Sequence, residues 1–257
     1  MRTLVITPTY NEIESLPVTV ADILQHAPHT HILIVDDNSP DGTGTLADTL
    51  AEDERIHVLH RTSKTGLGGA YIAGFLWGLE HGYDVLCEMD ADGSHRGRDL
   101  PLLLAAIDRG AGAAIGSRWV FGGAVVNWPY RRHILSRAAN IYANTVMGLH
   151  IKDATAGFRA YRAEYLAQVD LKGIASHGYC FQIDMTKRLL QAGAPFAEVP
   201  TTFVERAAGT SKMSRAIIGE AMYRVTRWGV ELRFEQGKQL LSKSLGSRRT
   251  LTTRRSS

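Results

Sequence analysis

Cysteine is scarce in this 257-residue chain, and long apolar runs are missing from it. Cysteine occurs twice, as Cys87 and Cys180, each in an apolar neighbourhood. That reads against a disulfide framework or a cysteine zinc site, and points to buried thiols in a reducing compartment. Met1-Arg2 runs directly into a strand pattern, so no secretory leader is expected. Nowhere do about 18 apolar residues follow one another, so no spanning helix is expected. Gly66-Leu67-Gly68-Gly69 has neither the GxGxxG spacing nor a Lys-Ser/Thr ending. These glycines are expected to allow close backbone approach at a helix start rather than to cradle phosphate.

What is present is a core. Hydrophobic residues make up 44% of the chain, enough for one large α/β domain or two small ones. The formal charge of +3 hides an asymmetry: residues 206–257 hold 12 Lys/Arg against 3 Asp/Glu, and residues 1–205 hold 17 against 23. A basic segment at one end suggests an anionic partner, nucleic acid or membrane lipid. Interleaved aromatics and any nucleic-acid module are missing, so no nucleic-acid partner is expected.

Apolar runs at Thr3–Pro8, His31–Asp37, Ile56–Leu59, Tyr83–Met89 and Ala113–Ser117 read as buried strands. Helical spacing separates them: a helix capped by Asn11 with Glu12 and Glu14 in its first turn, then helices over about 43–53, 66–81 and 100–109, the last capped by Asp99. Residues 119–133 read as a mobile loop. Further helices are expected over about 131–148 and 180–192, a short strand after the polar turn Asp153–Arg159, and a last strand over Phe196–Val204. The alternation predicts an α/β fold, a mostly parallel sheet with helices on both faces, and ligands at the carboxyl ends of its strands. The polar groups fall there: Tyr10-Asn11-Glu12, Asp36-Asp37, Asp90 and Asp92, and Arg118.

Val85-Leu86-Cys87 leads into Asp90-Ala91-Asp92-Gly93-Ser94. One reading is a polar turn built on Asp and Gly. The other is a metal–diphosphate site, since Mg²⁺ and Mn²⁺ take one or two carboxylates plus substrate phosphates. Four strand ends loaded with acceptors and a cation favour the second. From Ser214 to Phe234 a helix is expected, with Ile218, Ala221, Met222, Val225, Trp228 and Leu232 on one stripe and Glu220, Arg224, Arg227 and Glu231 opposite. It either packs on the domain or lies in a membrane interface, helped by Lys238, Lys243, Arg248, Arg249, Arg254 and Arg255.

Pro8-Thr9-Tyr10-Asn11-Glu12, Val35-Asp36-Asp37-Asn38-Ser39-Pro40-Asp41-Gly42-Thr43, Gly66-Leu67-Gly68, Met89-Asp90-Ala91-Asp92, Gly116-Ser117-Arg118, Asn127-Trp128-Pro129, Gly157-Phe158-Arg159 and Gly209-x-Ser211-Lys212 occur in that order. Over residues 3–213 the ordered set resembles the polyprenol (dolichol) monophosphate mannose synthases, inverting GT-A glycosyltransferases of family 2. Residues 213–234 resemble the actinobacterial branch, which lacks fused transmembrane helices. The resemblance implies a catalytic domain over 1–212, an amphipathic membrane-interface helix over 213–236 and a basic tail over 237–257. It places Pro8, Tyr10, Glu12, Val35 and Asp37 around the guanosine of GDP-mannose, with Ala91 beside them. Asp90 and Asp92 become metal ligands for Mg²⁺ or Mn²⁺. The family's frequent third ligand, Gln, is here Ser94, with water as the substitute. Arg118, Arg132 and Ser136 would hold the polyprenyl phosphate acceptor, and Arg206 and Lys212 would close over the donor diphosphate.

The chemistry suits these residue types. A phosphate monoester is largely ionised near pH 7, its second pKa being about 6, so it needs orientation and no general base. His95 and His133 are accordingly read as structural. The expected setting is the cytoplasmic face of a membrane, bound peripherally, with a separate integral-membrane protein or a second copy as further partners. The rivals are a polyprenyl-phosphate transferase using a UDP-sugar and a non-catalytic membrane-associated scaffold.

Overall fold

The computed structural model describes residues 1–174, 179–205, 222–231 and 233–234. Strands β1 (Thr3–Thr9), β2 (His31–Asp36) and β3 (Ile56–His60) alternate with helices α1 (Leu16–His26) and α2 (Thr43–Leu50). Helix α3 (Leu67–Glu80) leads to β4 (Val85–Glu88), and α4 (Leu100–Asp108) to β5 (Ala113–Ser117). Then come β6 (Ala124–Val126), α5 (Tyr130–Met147), β7 (Arg159–Arg162), α6 (Ala163–Leu166), α7 (Tyr179–Gln191), β8 (Phe196–Pro200) and β9 (Thr202–Val204). Residues 222–231 form a further helix, α8.

Seven strands make one sheet in the order β3-β2-β1-β4-β7-β5-β8, with β7 antiparallel to β4 and β5 and the other pairs parallel. Every residue of β1 is buried, because the strand is central and covered on both faces, which is why it reads as a continuous apolar run. Its side chains alternate between two cores. Val5 joins α1 and α4 on one face, while Leu4 and Ile6 join α3 and α7 on the other. Strand order reverses at β1, with β2 on one side and β4 on the other, so the crevice beyond their carboxyl ends is the place for a ligand.

Local chemistry moves several boundaries. Helix α1 starts at Leu16 with Pro17 in its first turn, where the fixed φ of proline suits a helix and its missing N–H costs nothing. Asn11 therefore does not cap it. Asn11 takes φ 62° and donates its N–H to Ser39 Oγ at 3.1 Å. Asp99 makes no side-chain cap on α4; its carboxylate accepts the Thr202 N–H at 3.1 Å. The stretch 196–204 is two strands, because Thr201 binds Ser117 O and the Ala124 N–H as the chain crosses from the large sheet to a two-stranded one. Its other strand, β6, pairs with β9 in parallel and lies within the expected loop 119–133. Gly68 is required: a Cβ there would meet the Phe181 ring at 2.9 Å, so α3 can approach α7 only at a bare Cα, as expected for the glycine run.

Helix α8 packs on α5. Val225 is buried and Trp228 half-buried in a cluster with Ala143, Met147 and Ile183. Thr226 Oγ1 lies 2.5 Å from Tyr142 Oη, while Met222, Tyr223 and Val230 are exposed. The expected apolar stripe thus splits, two members facing the domain and Met222 facing solvent. Ile218, Ala221 and Leu232 lie outside the described residues.

At the sheet end remote from the crevice, His31 Nδ1 lies 3.2 Å from His57 Nε2, with Tyr83 Oη 3.0 and 3.1 Å from the two. Burial holds the His57 pKa below its ordinary value, and His31, His81 and Arg2 add repulsion. The unfolded chain takes up this proton near pH 6.5 and the folded chain resists it, so stability is full above that pH and is lost as pH falls through it. His57→Gln is expected to flatten the loss of stability between pH 7 and 5.5 in urea titrations. The same acid-side slope in wild type and variant would contradict this role.

Candidate active site

Beyond β1, β2 and β4 lies a cleft of about 240 Å³ lined by Pro8, Tyr10, Glu12, Asp37, Asp90, Ala91 and Asp92, together with Thr9, Lys64, Leu67 and Ala70. Seven residues singled out in the sequence therefore share one wall. Val35 does not join them: it is fully buried in the core under α3. The two carboxylates that end β2 have different tasks. Asp36 is consumed by the fold, accepting Thr9 Oγ1 at 3.0 Å, the Ser39 N–H at 3.1 Å and Ser39 Oγ at 2.6 Å. Asp37 lines the cleft and accepts Arg61 Nη1 at 2.7 Å. Burial raises its pKa, opposed by Arg61 and Lys64. Lys64 Nζ stands 3.5 Å from the centre of the Tyr10 ring, so a cation and an aromatic face meet at the mouth.

The paired carboxylates emerge where β4 ends. Asp90 Oδ1 accepts Tyr71 Oη at 2.7 Å, and Asp92 Oδ1 accepts the Ser94 N–H at 3.0 Å. These contacts orient both groups from α3 and from the turn itself. Ser94 Oγ is buried with no hydrogen-bond partner, so an unsatisfied oxygen stands two residues from Asp92. Among the described residues no three His, Cys, Asp or Glu side chains converge on one point. An all-oxygen set of two carboxylates and a hydroxyl nevertheless fits a hard divalent cation whose remaining ligands are water and substrate phosphate.

His95, read from sequence as structural, belongs to this centre. It stacks on Phe158 at 5.0 Å and meets the Phe203 edge at 5.4 Å, with Nε2 3.9 Å from Asp90 Oδ2. Burial pulls its pKa down to about 4, partly offset by Asp92, so the imidazole is neutral. A Cβ on Gly157 would lie 3.9 Å from His95 Nε2, 3.9 Å from Gln182 Nε2 and 4.0 Å from Asp90 Oδ2. The bare Cα keeps that polar space open. Arg159 is wholly structural: fully buried, it binds the carbonyls of Ala154, Ala156 and Gln182 and the hydroxyl of Thr186.

A cationic cluster is built at the end of β5, on α5 and on β9, and His95 links it to Asp90 by meeting the Phe203 ring. Arg118, delivered by β5, is clamped by Asp153 through Nε at 2.7 Å and Nη2 at 2.6 Å, with its own backbone N–H on the same carboxylate at 2.9 Å. Thr155 and Asn140 complete the network. The Arg118 guanidinium lies 5.3 Å from the Trp128 ring centre and 5.8 Å from that of Phe203; Arg132 lies 4.4 and 6.0 Å from the same two rings. Arg132 pairs with Glu205. Ser136 follows one turn on along α5, half-buried. The indole N–H groups of Trp119 and Trp128 are buried and unpartnered. Arg118 and Arg132 are thus brought to the same two rings, with Ser136 one turn along α5 from Arg132, whereas Arg206 and Lys212 lie outside the described residues.

A family model for glycosyl transferase family 2 matches residues 4–170. The chain belongs to that family. This family 2 chain is 56% identical over 239 residues to a polyprenol monophosphomannose synthase of Mycolicibacterium smegmatis, covering 92% of this chain and 90% of that protein. It is 58% identical over 236 residues to an undecaprenyl-phosphate mannosyltransferase of Micrococcus luteus, covering 91% and 97%. A solved mannosyltransferase from Pyrobaculum calidifontis in complex with GDP-Man and Mn²⁺ superposes with a TM-score of 0.56 at 15% identity, over 98% of this chain and 83% of that one. At that identity the likeness speaks for the GT-A fold.

In this glycosyltransferase the Arg118–Asp153 pair is buried, so removing one partner strands the other. Asp153→Ala is expected to cost about 3–5 kcal/mol in urea unfolding, and Arg118→Ala/Asp153→Ala less than the sum of the single losses. Loss of under about 1 kcal/mol for Asp153→Ala, the level of an exposed pair, would contradict the clamp.

Proposed function

We infer that this chain transfers mannose from GDP-mannose to a polyprenyl monophosphate, giving polyprenyl-phosphate β-mannose and GDP. The observation that carries the reading is two unlike clusters joined by His95, which lies beside Asp90 and against Phe203: oxygen donors at Asp90, Asp92 and Ser94, and guanidiniums at Arg118 and Arg132 near the Phe203 ring. The names of the two relatives support the acceptor class, and the neighbour holding GDP-Man supports the donor.

Asp90 and Asp92, with Ser94 or water, would hold a divalent cation, Mg²⁺ or Mn²⁺, which supplies charge neutralisation at the leaving diphosphate. Tyr10, Glu12 and Asp37 line the nucleoside end, and Asp37 and Lys64 offer an acceptor and a donor there. The resemblance adds Arg206 and Lys212 over the diphosphate. Arg118 and Arg132 bind the acceptor phosphate through charge-assisted hydrogen bonds and aim its oxygen at the anomeric carbon. That oxygen is already anionic near pH 7, so no residue needs to remove a proton. Neutral His95 adds no positive charge beside Asp90. Attack from the face opposite GDP inverts the anomeric centre.

No helix among the described residues is long and apolar enough to cross a membrane. We place the chain peripherally on the cytoplasmic membrane face. Exposed Phe121, Tyr130, Ile134 and Ile141 on and before α5, and Met222, Tyr223 and Val230 on α8, supply apolar contact for an acceptor anchored in lipid.

Purified chain with a polyprenyl phosphate in detergent and radiolabelled GDP-mannose, UDP-glucose or UDP-GlcNAc tests this. Label is expected in the lipid phase from GDP-mannose alone, lost with EDTA and restored by Mg²⁺ or Mn²⁺. Asp90→Ala/Asp92→Ala is expected to reduce transfer at least about a hundredfold while remaining folded. Lipid-phase label from a UDP-sugar instead would overturn the donor assignment, and wild-type transfer by the double variant would overturn the metal site.

A further inference from the structure

The acceptor cradle is charge-balanced by the protein's own carboxylates, and the two carboxylates differ in how firmly they are held. Asp153 is fully buried. It is fixed by three bonds from Arg118, by contacts from Asn140 and Thr155, and by its own N–H on Glu198 Oε1 at 2.9 Å. A ligand cannot dislodge it without breaking the edge of the fold. Glu205 is different. Its side chain is 22% exposed and its partner Arg132 is 18% exposed. It sits just past β9, where its backbone N–H on Val126 O at 3.0 Å ties the main chain while the side chain reaches Arg132. Both guanidiniums lie near the same two rings, Trp128 and Phe203, and Glu205 brings its negative charge to Arg132. A dianionic phosphate seeking the same donors must compete with it. The buried, unpartnered indole N–H groups of Trp119 and Trp128 line the same cluster, and a carboxylate, with fewer oxygens than a phosphate, leaves them unmet.

Resting on the reading of Arg118 and Arg132 as the acceptor site, we propose that Glu205 is an internal stand-in for the acceptor phosphate: its carboxylate occupies Arg132 until a polyprenyl phosphate displaces it. The exchange has two consequences. Without acceptor, Arg132 is neutralised and does not recruit other anions. With acceptor, the carboxylate is released at the moment the nucleophile arrives.

The test is a calorimetric titration of the full chain with farnesyl phosphate, inorganic phosphate and farnesol, and with GDP-mannose in the presence of Mn²⁺. In Glu205→Gln and Glu205→Ala the Kd for farnesyl phosphate is expected to fall about tenfold, the factor for a competing state that holds nine parts in ten. Inorganic phosphate should tighten in the same direction. The Kd for farnesol and for GDP-mannose should not move, and Glu205→Asp, which keeps the charge, should stay within about twofold of wild type. A merely structural role predicts weaker binding in both neutral variants. Unchanged or weaker farnesyl phosphate binding would overturn the proposal, as would farnesol tightening by the same factor. Arg132→Gln tests the underlying reading separately: it is expected to weaken farnesyl phosphate, and if it does not, the acceptor site itself is misplaced.

Discussion

The clamp between Arg118 and Asp153 is the contact on which the catalytic end of this molecule depends. It joins the end of β5 to the loop before β7, the strand that runs against its neighbours between β4 and β5. Burying two charges is costly, and the cost is met only when geometry is good and further hydrogen bonds satisfy both groups. Here a bidentate pairing, a backbone N–H, Thr155 and Asn140 do so. The same contact holds a guanidinium near the Trp128 and Phe203 rings with one nitrogen, Nη1, outside the pairing.

From that fixed edge the site divides by charge. Carboxylates stand at the ends of β2 and β4, around the point where strand order reverses, and suit a nucleotide diphosphate with its cation. Guanidiniums stand at β5 and α5 and suit a phosphate nucleophile. A transfer between two anionic substrates needs such separation, because each must be neutralised without the other being repelled. An ionised nucleophile removes the need for a base, which fits the neutral, stacked His95 beside Asp90. Positioning and electrostatics then account for the chemistry.

The sheet was legible because its strands are continuous apolar runs ended by polar groups: β1, β2, β4 and β5 each came with their carboxyl-end residue. Tyr10, Glu12, Asp37, Asp90, Asp92 and Arg118 were singled out because they stand at those strand ends, whereas Arg132 and Ser136 came as site candidates only from the family resemblance. What escaped depends on contacts far apart in the chain. Asp99 binds Thr202 rather than its own helix, and α1 waits for Pro17. The 119–133 segment contains β6 because β9, over seventy residues on, supplies its partner. Tyr71, Lys64 and Phe203 carry no motif that separates a site aromatic or cation from a core or surface one, and Trp128 stood in the Asn127-Trp128-Pro129 motif without an assigned role. His95 was read as structural, and its stacking on Phe158 agrees with that; its nearness to Asp90 exists only in three dimensions. Of the α8 stripe, Val225 and Trp228 pack on the domain and Met222 is exposed, a division that periodicity, which cannot tell a domain from a lipid surface, left open.

The central claim is that one crevice holds the metal–donor half and the acceptor-phosphate half together. The most direct measurement is phosphorus NMR of farnesyl phosphate bound to the full chain with GDP and Mn²⁺, reading the paramagnetic broadening of the lipid phosphate. The account predicts strong broadening in wild type, abolished by Asp90→Ala/Asp92→Ala because the ion is lost and by Arg132→Gln because the phosphate is lost. A bound farnesyl phosphate whose signal Mn²⁺ leaves sharp would put the two halves in different places and contradict it.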